Sequence, residues 1–262
     1  MTHAAAFEAL RKTGGLGARW LLGAALLAAA LGWLPAAAHA TAMFASQADA
    51  TLTIVEISGG NLADLKIDGT STPADASGQQ IAFGNATASS TGFANIVGTD
   101  PANLRAGDSL VLQAKTSGSA SIAGAAGCCF DSFASADLFN NSAQDTFVIK
   151  FTIGWSLSAN ASIADPATED AATGADVFVD SSTDTFVDQF VESDVLLGPF
   201  GPQSLSDTQT FFVTLAPGVQ DFVEVEVSTG GFAVATAEPG SAVLLAAGLM
   251  AWAVSQRRRR MA

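Results

Sequence analysis

Four aspartates with regular spacing are the residues whose arrangement most suggests chemistry. They occupy positions 176, 180, 184 and 188 in the stretch DVFVDSSTDTFVD. Two short strands joined by a three-residue loop would form a hairpin with these pairs: Asp180 opposite Asp184, Phe178 opposite Phe186, and Asp176 opposite Asp188. Carboxylate oxygens are ligands that Ca²⁺ prefers, and like charges directly opposite on a ladder are unfavourable. The pattern therefore admits a Ca²⁺ site, or a solvated hairpin whose aspartates deter edge pairing.

In this register the outer face of the hairpin would carry a Phe–Phe pair flanked by the four carboxylates. Four residues would face the core instead: Val177, Val179, Thr185 and Val187. Hydrolysis of a sugar by paired carboxylates needs a cleft, and one carboxyl group whose pKa is raised by apolar surroundings. An exposed hairpin supplies neither, so we predict no catalytic residue and no cofactor other than the Ca²⁺ ion just considered.

Other chemistry is limited by which side chains the chain contains. The two histidines, His3 and His39, both lie in the first 40 residues, and Tyr is absent. The remainder therefore has no Ser-His-Asp or Cys-His pair and no His-ligated metal site. Cys128 and Cys129 are adjacent, and their α-carbons lie about 3.8 Å apart, below the usual disulfide range of about 4.4–6.8 Å. Two reduced thiols, a strained vicinal disulfide and an intermolecular link all remain open.

The elements that would position these residues are short strands with one buried face. The strongest pattern is TFVIKFTIGWSLS, where six apolar residues alternate with polar or small ones. The same period of two recurs in TFFVTL and FVEVEVS, and further candidates are TLTIVEIS, SLVLQAK and GGFAVATA. In this alternation Trp155 lies inward, so we predict a core residue rather than a sugar platform. Glu224 and Glu226 are expected to face outward.

The pattern predicts an all-β fold, an antiparallel two-sheet β-sandwich of jelly-roll type. Residues 41–236 are expected to form this single domain. The stretch from Gly69 to Gly98 is rich in Gly, Ser, Thr and Ala. We read it as long loops with short strands near Ile81 and Phe93.

The first 40 residues have the pattern of a signal peptide. Arg11, Lys12 and Arg19 precede the apolar run WLLGAALLAAALGWL, and Ala38 and Ala40 form an A-x-A cleavage site. Cleavage by signal peptidase after general secretion would leave Thr41 as the first residue. We therefore predict an N-terminal signal helix that is removed.

Charge separates the two ends from the region between them. Residues 41–236 contain four Lys or Arg and 23 Asp or Glu, which gives this region a net charge of −19. Nucleic-acid backbones need basic patches, so the imbalance excludes a nucleic-acid partner. It also disfavours direct docking on anionic lipid. Such acidity suits cations or a polymer rich in hydroxyl groups.

Residues 237–262 form a tripartite tail. A short motif, Glu238-Pro239-Gly240, precedes an uncharged apolar run over 242–254, and four arginines follow at 257–260. A transmembrane segment over about 241–256 is feasible but short, because a helix rises only 1.5 Å per residue and the hydrocarbon core is about 30 Å thick. The arginine cluster, Arg257, Arg258, Arg259 and Arg260, would keep its flank in the cytoplasm.

This tail resembles the PEP-CTERM sorting signal, with Ala237 in place of the first Pro. The resemblance implies an exported protein of a Gram-negative bacterium, held briefly in the inner membrane and then cleaved by exosortase. It also implies transfer to the cell surface or to an extracellular polysaccharide matrix, as in a biofilm. We therefore expect a non-enzymatic surface or matrix protein. The alternatives are a carbohydrate-binding or carboxylate-based carbohydrate-active module, and a calcium-stabilised adhesin.

Overall fold

The computed structural model describes residues 41–73 and 80–236. Several predicted features lie outside these residues: the signal peptide with Ala38 and Ala40, the sorting motif at 238–240, the apolar run and the arginines at 257–260. Within the described part of the chain, no helix has the length and apolar character needed to span a membrane.

The described residues are nearly all in β-strands, and the predicted all-β class is confirmed. The strands are β1 (Thr41–Gly59), β2 (Leu65–Pro73), β3 (Gln80–Val97), β4 (Ser109–Asn140), β5 (Phe147–Ser162), β6 (Glu169–Ser181), β7 (Thr185–Asp194), β8 (Gln203–Leu215) and β9 (Gln220–Ala235). Every strand pair is antiparallel. Short 3₁₀ turns lie at Leu62–Asp64 and Pro101–Asn103.

The nine strands form one continuous sheet in the order β7-β6-β9-β4-β1-β5-β8, and β2 and β3 pair with β4 off this path. The sheet curls until it is nearly closed. As a result, β5 packs across from β6 and β7, and β7 contacts β8. The predicted division into two separate sheets is not confirmed.

Strand β4 connects the two halves of the sheet. Its first half, up to Ser121, pairs with β1, and its second half, from Gly124, pairs with β9. At the change of partner Ala123 has a φ of 59°, and the ladder with β3 shifts at Gly84, whose φ is 62°. A Cβ atom on Gly84 would lie 2.3 Å from the Ala123 carbonyl oxygen, so only glycine fits this corner.

The core lies inside the curled sheet and follows the predicted alternation. The inward residues of the strongest pattern, Phe147, Ile149, Phe151, Ile153, Trp155 and Leu157, are all buried, as are Val223, Val225 and Val227 of β9. Burial of each such side chain stabilises the fold by about 1.5–3 kcal/mol. The prediction that Trp155 is a core residue is confirmed, since it is 7% exposed.

The interpretation of residues 69–98 as long loops is wrong. Most of this stretch belongs to β2 and to the 18-residue strand β3. Hydroxyl groups on these strands bond across the ladder to β4, with 2.8 Å between Thr70 Oγ1 and Ser135 Oγ, and 2.9 Å between Thr87 Oγ1 and Ser119 Oγ. Small polar residues therefore replace the apolar alternation as the means of pairing.

Several strands begin or end at one end of the curled sheet, which we call the corner end. Here β1, β6 and β8 begin, β5, β7 and β9 end, and β4 changes partner. A second, smaller core of alanines around Phe44 fills it. Both ends of the region 41–236 therefore emerge at the same end of the fold.

Candidate functional site

The predicted hairpin exists between β6 and β7, but its register differs from the expected one. Asp176 lies opposite Phe190, Phe178 lies opposite Asp188, and Asp180 pairs with Thr185 after a shift next to Val179. The predicted pairs Asp180–Asp184, Phe178–Phe186 and Asp176–Asp188 are therefore wrong. Asp184 lies in the turn, where its carbonyl oxygen accepts from the Ser181 N–H at 2.8 Å.

The shift has a packing reason. Phe186 turns toward the core and stacks on Phe211 of β8, with ring centroids 3.9 Å apart and 13° between the ring planes. Phe211 in turn stacks on Phe151 at 5.4 Å. Val177, Val179 and Val187 face the core as predicted, whereas Thr185 is exposed.

Two of the predicted aspartates join acidic residues from other strands instead. Across the outer side of the sheet, β6 contributes Asp176 and Asp180, β9 contributes Glu224 and Glu226, and β4 contributes Asp131. We call these five residues the acidic face. Glu224 and Glu226 face outward as predicted, but their proximity to Asp176 and Asp131 depends on pairings between distant parts of the chain.

Glu226 is the centre of the acidic face. The ladder places it between Phe178 of β6 and Phe133 of β4. Burial raises its pKa to about 7, and the charges of Asp176 and Asp131 add to the effect. Asp176 Oδ1 accepts a hydrogen bond from Ser228 Oγ at 2.6 Å. Asp131 Oδ1 is buried and has no hydrogen-bond partner among the described residues.

The carboxylates of the acidic face form no metal-ligand cluster among the described residues. Among residues 41–73 and 80–236, no group of three or more Asp, Glu, Cys or His side chains is placed to hold a metal ion. Asp188 lies opposite Phe178, diagonal to Asp176 and Asp180, whereas Asp184 lies in the turn. The Ca²⁺ site at these four aspartates stays a prediction.

Both cysteines are buried, and they are not joined in a disulfide. Cys128 Sγ donates to the Ser89 carbonyl oxygen at 3.1 Å. Burial raises the pKa of the Cys128 thiol to about 11, and burial together with the nearby Asp131 charge raises that of Cys129 to about 12. Neither thiol is therefore poised as a nucleophile, since the thiolate is the reactive form.

The opposite half of the sheet carries a polar cleft of about 490 Å³ on its outer side. The ladder places one row of side chains across five strands at its floor: Thr91, Lys115, Gln47, Ser158 and Ser204. We call these five residues the polar row. Neighbouring strands are about 4.8 Å apart, so the row presents hydrogen-bonding groups over roughly 19 Å. The residues that line this cleft include no carboxylate and no aromatic ring.

A second, more open depression of about 500 Å³ lies beside the polar cleft, and Asp49, Trp155 and Asp207 line it. Asp49 accepts hydrogen bonds from Gln47 Nε2 and from Gln113 Nε2, the latter at 2.6 Å. Trp155 Nε1 is buried without a partner in this half of the sheet. Sequence reasoning missed both depressions, because the residues that line each one come from separate strands and become neighbours only through strand pairing.

Comparisons with known proteins add little to this geometry. No protein-family model matches the chain, and no curated protein sequence matches it. Among solved structures, the chain is similar to the secreted serine protease VesC from Vibrio cholerae at 9% sequence identity and a TM-score of 0.09. That match covers 63% of this chain and 46% of the protease. A likeness at this level carries no argument about fold or activity.

Proposed function

We propose that this chain is an exported, non-enzymatic surface or matrix protein that associates with extracellular polysaccharide through its polar cleft. The observation that carries the proposal is the polar row, in which hydroxyl, amide and ammonium groups face solvent across five strands. Polysaccharides offer regularly spaced hydroxyl groups as partners. Each neutral hydrogen bond contributes only about 0.5–1.5 kcal/mol, so binding depends on many contacts along the polymer.

The destination in this proposal comes from the two ends of the chain. The apolar run with its A-x-A site favours export, and the motif Glu238-Pro239 before an apolar run and four arginines favours sorting by exosortase. The −19 charge of residues 41–236 agrees with a location outside the cell, where it maintains solubility.

Polysaccharide binding can be tested with affinity gels that contain a neutral glucan or a uronate-rich polymer. We expect retardation in the neutral gel, and loss of retardation for Lys115→Gln combined with Ser158→Ala. Lys150→Gln combined with Thr152→Ala is the matched control, because both residues lie on the outer side of β5 away from the cleft lining. Equal mobility of parent and cleft variant in every gel would reject the cleft as the binding site.

Sorting is tested by the intact mass of the protein from cells with and without exosortase. We expect loss of the C-terminal residues only where the protease is present, and retention of the precursor for Glu238→Ala combined with Pro239→Ala. Residues through Arg260 remaining in both strains would contradict the sorting proposal, whatever the gels show.

A carbohydrate-cleaving activity is the second candidate, because Asp49 lines the open depression with an outward-facing carboxylate. Release of reducing ends from the retarded polymer, abolished by Asp49→Asn, would favour it. The third candidate is a calcium-stabilised adhesin. It requires that millimolar Ca²⁺ raise the melting temperature, and that Asp176→Asn remove this increase.

A further inference from the structure

The loop between β7 and β8 is the most apolar exposed segment of the described chain. Residues 195–202, VLLGPFGP, contain no charge. Leu196 is 61% exposed, Leu197 80% and Phe200 59%. Large apolar side chains grouped at one tip indicate an interaction surface, whereas single exposed ones do not.

The loop is held firmly in this exposed conformation. Asp194 Oδ1 accepts from the N–H groups of Leu196 at 2.7 Å and Leu197 at 2.9 Å. At its other end, Ser193 Oγ donates to the Gly201 carbonyl oxygen at 2.8 Å, and Gly201 takes a φ of 83°. Binding through such a loop avoids most of the entropy cost of ordering a flexible one.

The loop lies at the corner end, beside the point where the chain leaves the sheet. The first residues of β6 and the turn before it contact both segments: the Val195 N–H donates to the Ala171 carbonyl oxygen, and the Thr236 N–H to that of Thr168. The apolar run begins at Ala242, six positions after Thr236. An extended chain of that length spans at most about 20 Å.

We propose that Leu196, Leu197 and Phe200 insert into the outer lipid surface of the membrane while the C-terminal apolar run holds the chain there. This inference rests on the proposed membrane-held precursor. The short connection from Thr236 keeps the corner end close to the bilayer, so insertion is intramolecular and needs only modest intrinsic affinity. Leucine and phenylalanine are suited to the boundary between headgroups and acyl chains.

The charges near the loop indicate which lipid headgroups it would contact. Glu192 and Asp194 lie at the end of β7, and none of the four basic residues of the region 41–236 belongs to this loop. Anionic headgroups would therefore repel the corner end, and a zwitterionic surface is the expected partner. After cleavage of the tail the tether is lost, and insertion by three side chains alone becomes weak and reversible.

The test uses the full chain reconstituted in phosphatidylcholine vesicles, with a solvent-sensitive fluorophore on an introduced cysteine. Cys128 and Cys129 are buried, so neutral-pH labelling is confined to the new site. Leu197→Cys reports on the loop, Val219→Cys on an exposed position at the opposite end, and Leu249→Cys on the apolar run. Lipids with a nitroxide near the headgroup or deep in the acyl chain serve as quenchers.

We expect the label at position 197 to lose roughly half of its fluorescence or more to the shallow quencher, as it would lie about 5–10 Å into the interface. The label at 219 should be unaffected. Quenching at 249 without quenching at 197 would overturn the loop insertion and leave the membrane-held precursor intact. No quenching at 249 or 197 would overturn both, and equal quenching at 197 and 219 would indicate non-specific adsorption and reject the proposal.

Discussion

Replacing Glu226 by glutamine should stabilise the protein at alkaline pH and leave its stability at acidic pH unchanged. Glu226 is half-buried between Phe133 and Phe178, with Asp176 and Asp131 nearby, and its pKa is raised from 4.5 to about 7. Glutamine keeps the shape of the side chain and removes the charge. The change therefore isolates the cost of ionising this carboxyl group in the folded state.

The magnitude follows from the two pKa values of Glu226. Their difference corresponds to about 3 kcal/mol. The folded state retains the proton between pH 4.5 and about 7 while the unfolded state loses it. The free energy of unfolding therefore falls as pH rises through this window, and the full penalty is present above it. Since 1 kcal/mol shifts the melting temperature by about 2–4 °C at this size, Glu226→Gln should raise it by roughly 6–12 °C at alkaline pH.

The assay is thermal unfolding of parent and variant from pH 4 to pH 8.5 at constant ionic strength. Asp207→Asn is the matched control, because it removes the same charge from an exposed position on β8. Stabilisation by Glu226→Gln that is equal at both ends of the pH range would refute the reasoning, as would destabilisation at pH 8.5. An equal gain from Asp207→Asn would assign the effect to net charge instead.

Three further outcomes follow from packing and hydrogen bonding. Phe186→Ala should lower the free energy of unfolding by about 2–4 kcal/mol in urea, since it removes the stack on Phe211. Asn140→Ala should cost about 3 kcal/mol, because the buried amide bonds three carbonyl oxygens at 2.8, 3.0 and 2.8 Å. Cys128 and Cys129 should resist thiol reagents at pH 8 in the folded protein and react at once in denaturant, because burial keeps both thiols protonated.

Two of these outcomes have a matched control or a direct contradiction. Phe212→Ala, on the exposed side of β8 next to Phe211, should stay within about 0.5 kcal/mol of the parent. Similar losses for positions 186 and 212 would show that the stack is unimportant. Stoichiometric labelling of the folded protein would contradict the burial of the cysteines.

The sequence predicted the core strands well because their signal is local. Alternation in β5 and in the first half of β9 identifies the inward residues without knowledge of any partner strand. The 32 residues of β4 were recognised only at their start, near Ser109. Beyond that, Gly, Ser and Ala interrupt the apolar period, and pairing on both edges determines the strand instead.

The acidic face and the polar row could not be predicted for a related reason. Glu226 meets Asp131 and Asp176 only through the register of β9 with β4 and β6. The hairpin register failed for the same cause, since the inward turn of Phe186 depends on Phe211 of β8. Local spacing indicated which residues are acidic, but side-chain contacts between distant strands determine their neighbours.

The position of β4 also constrains the order in which the sheet can form. Residues 124–139 of β4 pair with β9, which lies about a hundred positions later in the chain, so this ladder cannot form before β9 is available. Strand β6 also pairs with β9. Such distant contacts predict folding on a timescale of milliseconds to seconds. During synthesis the N-terminal part of the chain emerges first, so the sheet cannot be completed until residue 235 has left the ribosome. Before then, β4 exposes an unpaired edge, so a chain truncated before β9 should aggregate rather than form a smaller domain.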